Sequence, residues 1–307
     1  MRIFVIGGAG FIGSHIVDAC IEKGHQVFVI DNLSTGSKEN LNPKAKFYQI
    51  DIFKQKPKLE QIFFKIKPDI VNLHAAQKSV SNSVINPIND AETNILGALN
   101  VFQVCVKNKI KKIIFASSGG AIYGDNNNLP TSETQELYPE SPYGVAKLAV
   151  EKYLNFYWLE YKIPYAILRY ANVYGPRQDP KGEAGVVAIF SNSLLKNQPC
   201  VIYGDGTQTR DYVFVKDIAQ ANLLALKNKK NFCINIGTKK ETSVNKLFNI
   251  IKKETKSQII ASYAKARPGE QKRSVLNNRQ AKKILGWEPK TQLEKGIKET
   301  INWYQNN

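Results

Sequence analysis

Three glycines, Gly7, Gly10 and Gly13, stand between a short apolar run and a helix-like stretch at the start of the chain. The run Ile3-Phe4-Val5-Ile6 is continuous and β-prone, the composition of a strand buried on both faces. The glycine spacing lets a chain turn sharply, approach a pyrophosphate closely and pack a helix on a sheet. The helix start then offers free N–H groups and the positive end of its dipole to that anion. Eighteen residues beyond Gly13, a second β-prone run, Val27-Phe28-Val29-Ile30, ends in Asp31. A carboxylate there accepts hydrogen bonds from a ribose diol and repels a 2′-phosphate. Strand, glycines, helix and terminal acid together predict a dinucleotide site that takes NAD rather than NADP.

A chain of 307 residues with 43% hydrophobic content can bury a substantial core, in one large or two unequal domains. Lysines interrupt every apolar run, so no membrane span is expected. The first strand begins at residue 2, which leaves no room for a signal peptide. Cys20, Cys105, Cys200 and Cys233 are scattered without metal-like spacing, as free thiols in a reducing cytoplasm would be. Net charge is +17, and residues 227–307 hold 19 Lys and Arg against 6 Glu, a net of +13. These lysines alternate with apolar residues at helical spacing, the pattern of solvated helix faces. No nucleic-acid-binding module accompanies them, so no nucleic-acid partner is expected. The surplus would still attract an anionic substrate.

Beyond Asp31 a third strand near Phe47–Ile50 ends at Asp51, which can serve as an adenine partner or as a surface turn acid. A fourth, Ile70–Leu73, runs into His74-Ala75-Ala76, where small residues at a strand end let a ligand approach. His74 by itself reads as a packed core residue. The stretch 90–107 carries Ile95, Leu99, Phe102 and Val106 at helical spacing and predicts one long amphipathic helix. The fifth strand, Lys112–Ala116, follows directly. This alternation predicts an α/β fold with a doubly wound parallel sheet. Past Tyr174-Gly175-Pro176 the rhythm breaks, and a smaller C-terminal α/β portion is expected to supply the substrate site.

Ser141-Pro142-Tyr143 opens a helix in which Tyr143 and Lys147, four apart, share a face. An ammonium held near a phenol lowers its pKa from about 10 toward neutrality, and a bound nicotinamide cation pushes the same way. The pair can then act as a general base toward a sugar hydroxyl. The preceding strand ends in Ser117-Ser118-Gly119-Gly120-Ala121, where a hydroxyl could bridge substrate and tyrosine.

With these residues the chain resembles an extended short-chain dehydrogenase/reductase of the nucleotide-sugar epimerase/dehydratase superfamily, and is most similar to the UDP-glucose 4-epimerases. Later motifs join the resemblance: Leu168-Arg169-Tyr170-Ala171-Asn172-Val173-Tyr174-Gly175-Pro176-Arg177, Gly204–Tyr212 and Arg267-Pro268-Gly269-Glu270. The resemblance implies a Rossmann-type NAD domain over 1–172, with a returning segment at about 212–238. It implies a nucleotide-sugar portion over 173–211 and 239–307. Tyr143 is then the base, Lys147 holds the ribose and tunes the phenol, and Ser118 assists. Because the segment between Phe115 and Tyr123 is one residue longer than in many relatives, counting forward gives Ser118 and counting backward gives Gly119. Glycine has no hydroxyl, so Ser118 is taken, with Ser117 as the alternative. The NAD site is implied to include Gly7, Gly10, Phe11, Ile12, Gly13, Asp31, Asn32, Asp51, Ile52, Ala75, Ala76 and Asn94 beside Tyr143 and Lys147. Asn172, Arg210, Arg267 and Glu270 would bind the UDP-sugar beside Ser118 and Tyr143, with Ser274 at the sugar pocket, where a small side chain admits an N-acetyl group.

The expected function is NAD-dependent C4 epimerisation of a UDP-hexose through a transient 4-keto sugar. A 4,6-dehydratase, or a UDP-glucuronate epimerase or decarboxylase of the same fold, is the alternative. The dehydratases and decarboxylases place acids beside the catalytic hydroxyl, where this chain has Gly119-Gly120-Ala121. A non-catalytic NAD-binding regulator would have lost Tyr143, Lys147 or Ser118. Relatives pair as homodimers through two helices, here expected near 90–107 and 143–160.

Overall fold

The apolar run at residues 3–6 becomes β1 (Arg2–Ile6), inside a seven-stranded parallel sheet. The computed structural model describes residues 1–181, 185–266 and 271–307. From β1 the chain passes through α1 (Phe11–Glu22) to β2 (Gln26–Asp31) and then β3 (Lys46–Gln49). Helix α2 (Lys56–Ile66) crosses to β4 (Ile70–Leu73), on the other side of β1. Two short helices, α3 (Val80–Ile85) and α4 (Pro87–Ala91), a π turn at Glu92–Leu96 and α5 (Gly97–Lys107) lead to β5 (Lys112–Ser118). Helix α6 (Pro142–Tyr161) then leads to β6 (Tyr165–Tyr170).

The smaller portion begins with β7 (Asn172–Tyr174), α7 (Val186–Leu195), β8 (Val201–Tyr203), β9 (Thr209–Arg210) and β10 (Tyr212–Phe214). Helix α8 (Val215–Lys227) and β11 (Phe232–Ile236) return to the large sheet, whose order is β11-β6-β5-β4-β1-β2-β3. The chain ends with β12 (Thr242–Ser243), α9 (Val244–Thr255), β13 (Ser262–Ala264), β14 (Arg273–Ser274), α10 (Arg279–Leu285) and α11 (Leu293–Asn306). The strand order reverses between β1 and β4, so their connections part there and open a crevice at the carboxyl ends of the strands.

Alternation along β1 divides the core in two. Ile3 and Val5 meet Ile16 and Val17 of α1 and Ile218 of α8. Phe4 and Ile6 meet Leu59 and Phe63 of α2, Phe102 of α5 and Leu154 of α6. Both faces are dry, which is why the strands read as unbroken apolar runs. A third cluster joins Tyr174, Phe190, Phe214, Leu247, Phe248 and Ile297 within the smaller portion. Among the described residues no helix is long and apolar enough to cross a membrane.

The structure refines three expectations. The helix expected over 90–107 is interrupted by the π turn, which periodicity cannot reveal because Ile95, Leu99, Phe102 and Val106 keep their spacing. Asn94 lies in that wider turn and accepts the Gln77 N–H at 2.9 Å while donating to the Gln77 carbonyl at 3.0 Å. Gly97 follows because a Cβ there would lie 3.0 Å from Ile52 Cδ1. Within the span expected for the sugar-binding portion, residues 279–287 also reach the large sheet's core. Ala281 and Trp287 join the α8 side of that core, and Trp287 Nε1 donates to the Asp217 carbonyl at 2.9 Å. Finally, α5 is mostly buried, and the exposed apolar face lies on α3, α4 and α6. Ile85 is 80% exposed, Ile88 72% and Leu159 60%.

Candidate active site

The glycine turn closes on itself at the crevice. Gly7 has φ +86°, and a Cβ on it would sit 2.4 Å from the Ala75 nitrogen; a Cβ on Gly13 would sit 2.1 Å from the Gly7 carbonyl oxygen. Any side chain at either position would push the turn, the helix start and the β4 end apart. Helix α1 starts at Phe11, so the amides of Phe11, Ile12 and Gly13 have no acceptor within the helix. Opposite them Asp31 is buried at the tip of β2. Its Oδ2 accepts the Ala9 N–H at 3.0 Å and its Oδ1 the Leu33 N–H at 2.8 Å. A carboxylate has about four acceptor sites, so two remain for a diol. A cradle that no Cβ can enter, open amides and a fixed acid fit the diphosphate and ribose of NAD.

Other residues of the expected cofactor site are placed around this cradle. Ala75 donates its N–H to the Ile6 carbonyl at 2.8 Å, which sets the Ala75-Ala76 segment against β1. Asn94 has its amide committed to Gln77 and, at 2.9 Å, to Asp90 Oδ1, so it holds the loop after Ala76 in shape. Asp51 Oδ1 accepts the Phe53 and Lys54 N–H groups, and its Oδ2 accepts from Asn32 Nδ2 at 2.9 Å. It is therefore built as a turn acid, and only its Oδ2 side has room for a further donor. Ile52 is buried under Gly97. His74 is a core residue, stacked on Tyr170 with Nε2 at 3.1 Å from the tyrosine hydroxyl, and burial lowers its pKa to about 3.

Tyr143, Lys147 and Ser118 come together where α6 meets the end of β5. Ser141 caps α6 by accepting the Gly144 N–H at 3.2 Å, with Pro142 in the first turn. The Ser118 side chain acts on the Tyr143 phenol and favours its deprotonated form. Ser117 points elsewhere, donating to Glu151 Oε1 at 2.6 Å. Gly119 lies under Leu276, and the Gly120 Cβ position faces open space. Lys147 is buried, donates to the Ala116 carbonyl at 2.9 Å and stands 5.6 Å from the centre of the Tyr143 ring.

Burial opposes the expected lowering of the phenol pKa. Burial pushes Tyr143 up to about 12; the Ser118 contact opposes that rise and the Asp90 carboxylate adds to it. The lysine does not offset burial because its ammonium is drawn to Ala116 and is itself costly to bury. Lys147 falls to about 8 through burial, partly restored by Asp90 and Glu151.

On the substrate side, Arg210 and Ser274 are register partners across β9 and β14. Arg210 is half-buried and donates from Nη1 to the Thr209 carbonyl at 2.8 Å. Asn172 is exposed on β7, and its backbone N–H donates to the Asp211 carbonyl at 2.9 Å. Arg267 and Glu270 lie outside the described residues.

Sequence reasoning missed several residues that build the site. Ser83 of α3 accepts the Tyr143 N–H at 3.1 Å. Asp90 accepts from Gln77 and Asn94 and acts electrostatically on both Tyr143 and Lys147. Only Glu151 carried a local signal, since it lies four residues beyond Lys147 on the same helix face.

Comparison with known proteins gives a consistent picture. The NAD dependent epimerase/dehydratase family model matches residues 3–237. A Methanocaldococcus jannaschii relative is 53% identical over 305 residues, 99% of each chain. The structure of a Thermotoga maritima UDP-glucose 4-epimerase with UDP-glucose superposes with a TM-score of 0.98 at 49% identity, covering 100% of this chain and 99% of that one. A Thermus thermophilus UDP-glucose 4-epimerase in complex with NAD gives 0.95 at 40% identity, covering 99% of both.

Proposed function

The chain belongs to the NAD dependent epimerase/dehydratase family, and from that premise we propose that it interconverts UDP-glucose and UDP-galactose by epimerisation at C4, using NAD. The observation that carries this reading is the meeting of Ser118, Tyr143 and Lys147 beside the glycine cradle, with no carboxylate in Gly119-Gly120-Ala121. A dehydratase has a second proton to move and needs an acid there.

NAD bound in the Gly7–Gly13 cradle would supply a hydride acceptor for sugar C4 and a cation that favours the phenolate. Tyr143 Oη takes the 4-hydroxyl proton and later gives it back. Ser118 Oγ bridges that oxygen and the sugar. Lys147, anchored on the Ala116 carbonyl beside the Tyr143 ring, would orient the ribose and supply positive charge near the phenol as it loses its proton. The Gly7–Gly13 turn and Asp31 hold the diphosphate and adenosine ribose. Arg210, Arg267 and Glu270 grip UDP, Arg as a forked donor to phosphate oxygens, and Asn172 contributes on the sugar side. A 4-keto sugar can then turn over while its UDP anchor stays fixed, which asks for strong diphosphate contacts and few sugar contacts.

The small Ser274 beside Arg210 supports acceptance of the N-acetylated sugar pair as well. The apolar face shared by α3, α4 and α6 supports a homodimer, and four free cysteines fit the cytoplasm. Incubating the protein with UDP-galactose and separating the nucleotide sugars tests the assignment. UDP-glucose should appear at equilibrium without added NADH, and a 4-keto-6-deoxy product would refute it.

A further inference from the structure

Three consecutive residues at the end of β5 are tied to three successive turns of α6. The Ala116 carbonyl accepts from Lys147 Nζ at 2.9 Å, Ser117 Oγ donates to Glu151 Oε1 at 2.6 Å, and the Ser118 side chain acts on the Tyr143 phenol. Tyr143, Lys147 and Glu151 are spaced by four, so one helix face lies against the strand end. The outer two contacts belong to the chemistry proposed above. The middle one does not.

Ser117 and Glu151 are 4% and 5% exposed, and Ser117 turns away from the phenol. The cross-strand partner of Ser117 on β6 is Arg169, also 5% exposed. Arg169 grips both oxygens of Glu151, with Nε at 3.0 Å from Oε1 and Nη2 at 2.6 Å from Oε2. Its remaining arm, Nη1, donates to the Tyr123 hydroxyl at 2.8 Å, which donates to Asn235 Oδ1 on β11 at 2.8 Å. Glu151 is thus fixed from β5 and β6, and the brace continues to β11. A buried ion pair is seldom needed for stability, since an apolar pair of similar volume commonly does as well. What it adds here is directional: each bond is satisfied in one strand-to-helix register only.

We propose that Ser117, Glu151 and Arg169 are positioning residues, which set β5 against α6 so that the Ser118 hydroxyl meets the Tyr143 phenol. This rests on Ser118, Tyr143 and Lys147 being the reacting cluster. A small shift of that strand end would spoil the alignment while leaving the UDP and NAD grips in place.

Glu151→Gln strands a buried guanidinium and risks misfolding, so Ser117→Ala is the decisive variant. Its kcat should fall about tenfold, the scale of a small misalignment, with KM and retained NAD unchanged. Ser117→Thr, which keeps the hydroxyl, should restore turnover. In a Ser118→Ala background the Ser117→Ala change should add almost nothing, because the group it positions is gone. A normal kcat in Ser117→Ala, a fall in thermal stability and NAD retention that accounts for the loss, or full additivity with Ser118→Ala would each overturn the proposal. Normal turnover in Tyr143→Phe and Ser118→Ala would instead remove the site reading itself, and this proposal with it. Impaired turnover in those two with a normal Ser117→Ala removes the positioning role alone.

Discussion

Lys147 donates its ammonium proton to the Ala116 carbonyl at 2.9 Å, past the Tyr143 ring rather than onto its hydroxyl. The lysine is therefore anchored to the strand that carries Ser118, and the phenol beside it is held protonated by burial. Protein stripped of cofactor should show no phenolate absorbance from Tyr143 at pH 8, and the NAD-loaded protein should show one that Tyr143→Phe abolishes. The same variant should keep NAD and lose at least about two orders of magnitude in turnover, the usual scale of general-base loss. Near-normal turnover would take Tyr143 out of the reaction.

The proposed cofactor preference rests on Asp31. Its buried carboxylate already receives two backbone N–H groups, and a 2′-phosphate would meet its charge directly. NADP should bind at least about tenfold more weakly than NAD, the effect of roughly 1.4 kcal/mol of unfavourable contact. Asp31→Ala should narrow that ratio. Equal affinities in the unaltered protein, measured by cofactor titration, would contradict the assignment.

Ser274 is the register partner of Arg210 on β14, and the proposed specificity assigns this small side chain to the sugar pocket. Ser274→Tyr should depress turnover of UDP-N-acetylglucosamine more than that of UDP-glucose, by filling the space an acetamido group needs. A protein active on UDP-glucose and inert toward the acetylated sugar would remove this residue from specificity and leave the epimerase reading standing.

Stability should fall in mild acid. Desolvation lowers His15, which is buried, from 6.5 to about 4 and His74, which is half-buried, to about 3. Below pH 6.5 the unfolded chain takes up protons that the folded chain refuses, so stability declines as pH drops toward those values. One such histidine accounts for roughly 2 kcal/mol over two pH units. His15→Gln, which can still donate to the Pro176 carbonyl that His15 Nε2 meets at 3.0 Å, should flatten the denaturation midpoint between pH 6.5 and 4.5. An unchanged slope would show that His15 does not contribute.

The parts of the site legible in the sequence are those whose logic is local. Gly7 to Gly13 lies within a single turn, and Tyr143 and Lys147 are one helical turn apart. Ser83 and Tyr143 are 60 residues apart, and no periodicity announces that the first caps the second. The choice between Ser117 and Ser118 was equally closed to spacing. What sets Ser117 apart is its bond to Glu151, and that depends on Glu151 and Arg169 being brought to the same strand. The lysine's placement has a related dependence: helical spacing puts it near the phenol, but only the packed structure supplies the Ala116 carbonyl to which it donates.

The central claim is that hydride leaves C4 and returns to C4 within one site. UDP-galactose carrying deuterium at C4, incubated with the protein and no added cofactor, tests it directly by NMR of the product. The account predicts UDP-glucose with the deuterium still at C4. Deuterium lost to solvent, or conversion that ends in a 6-deoxy sugar, would contradict it.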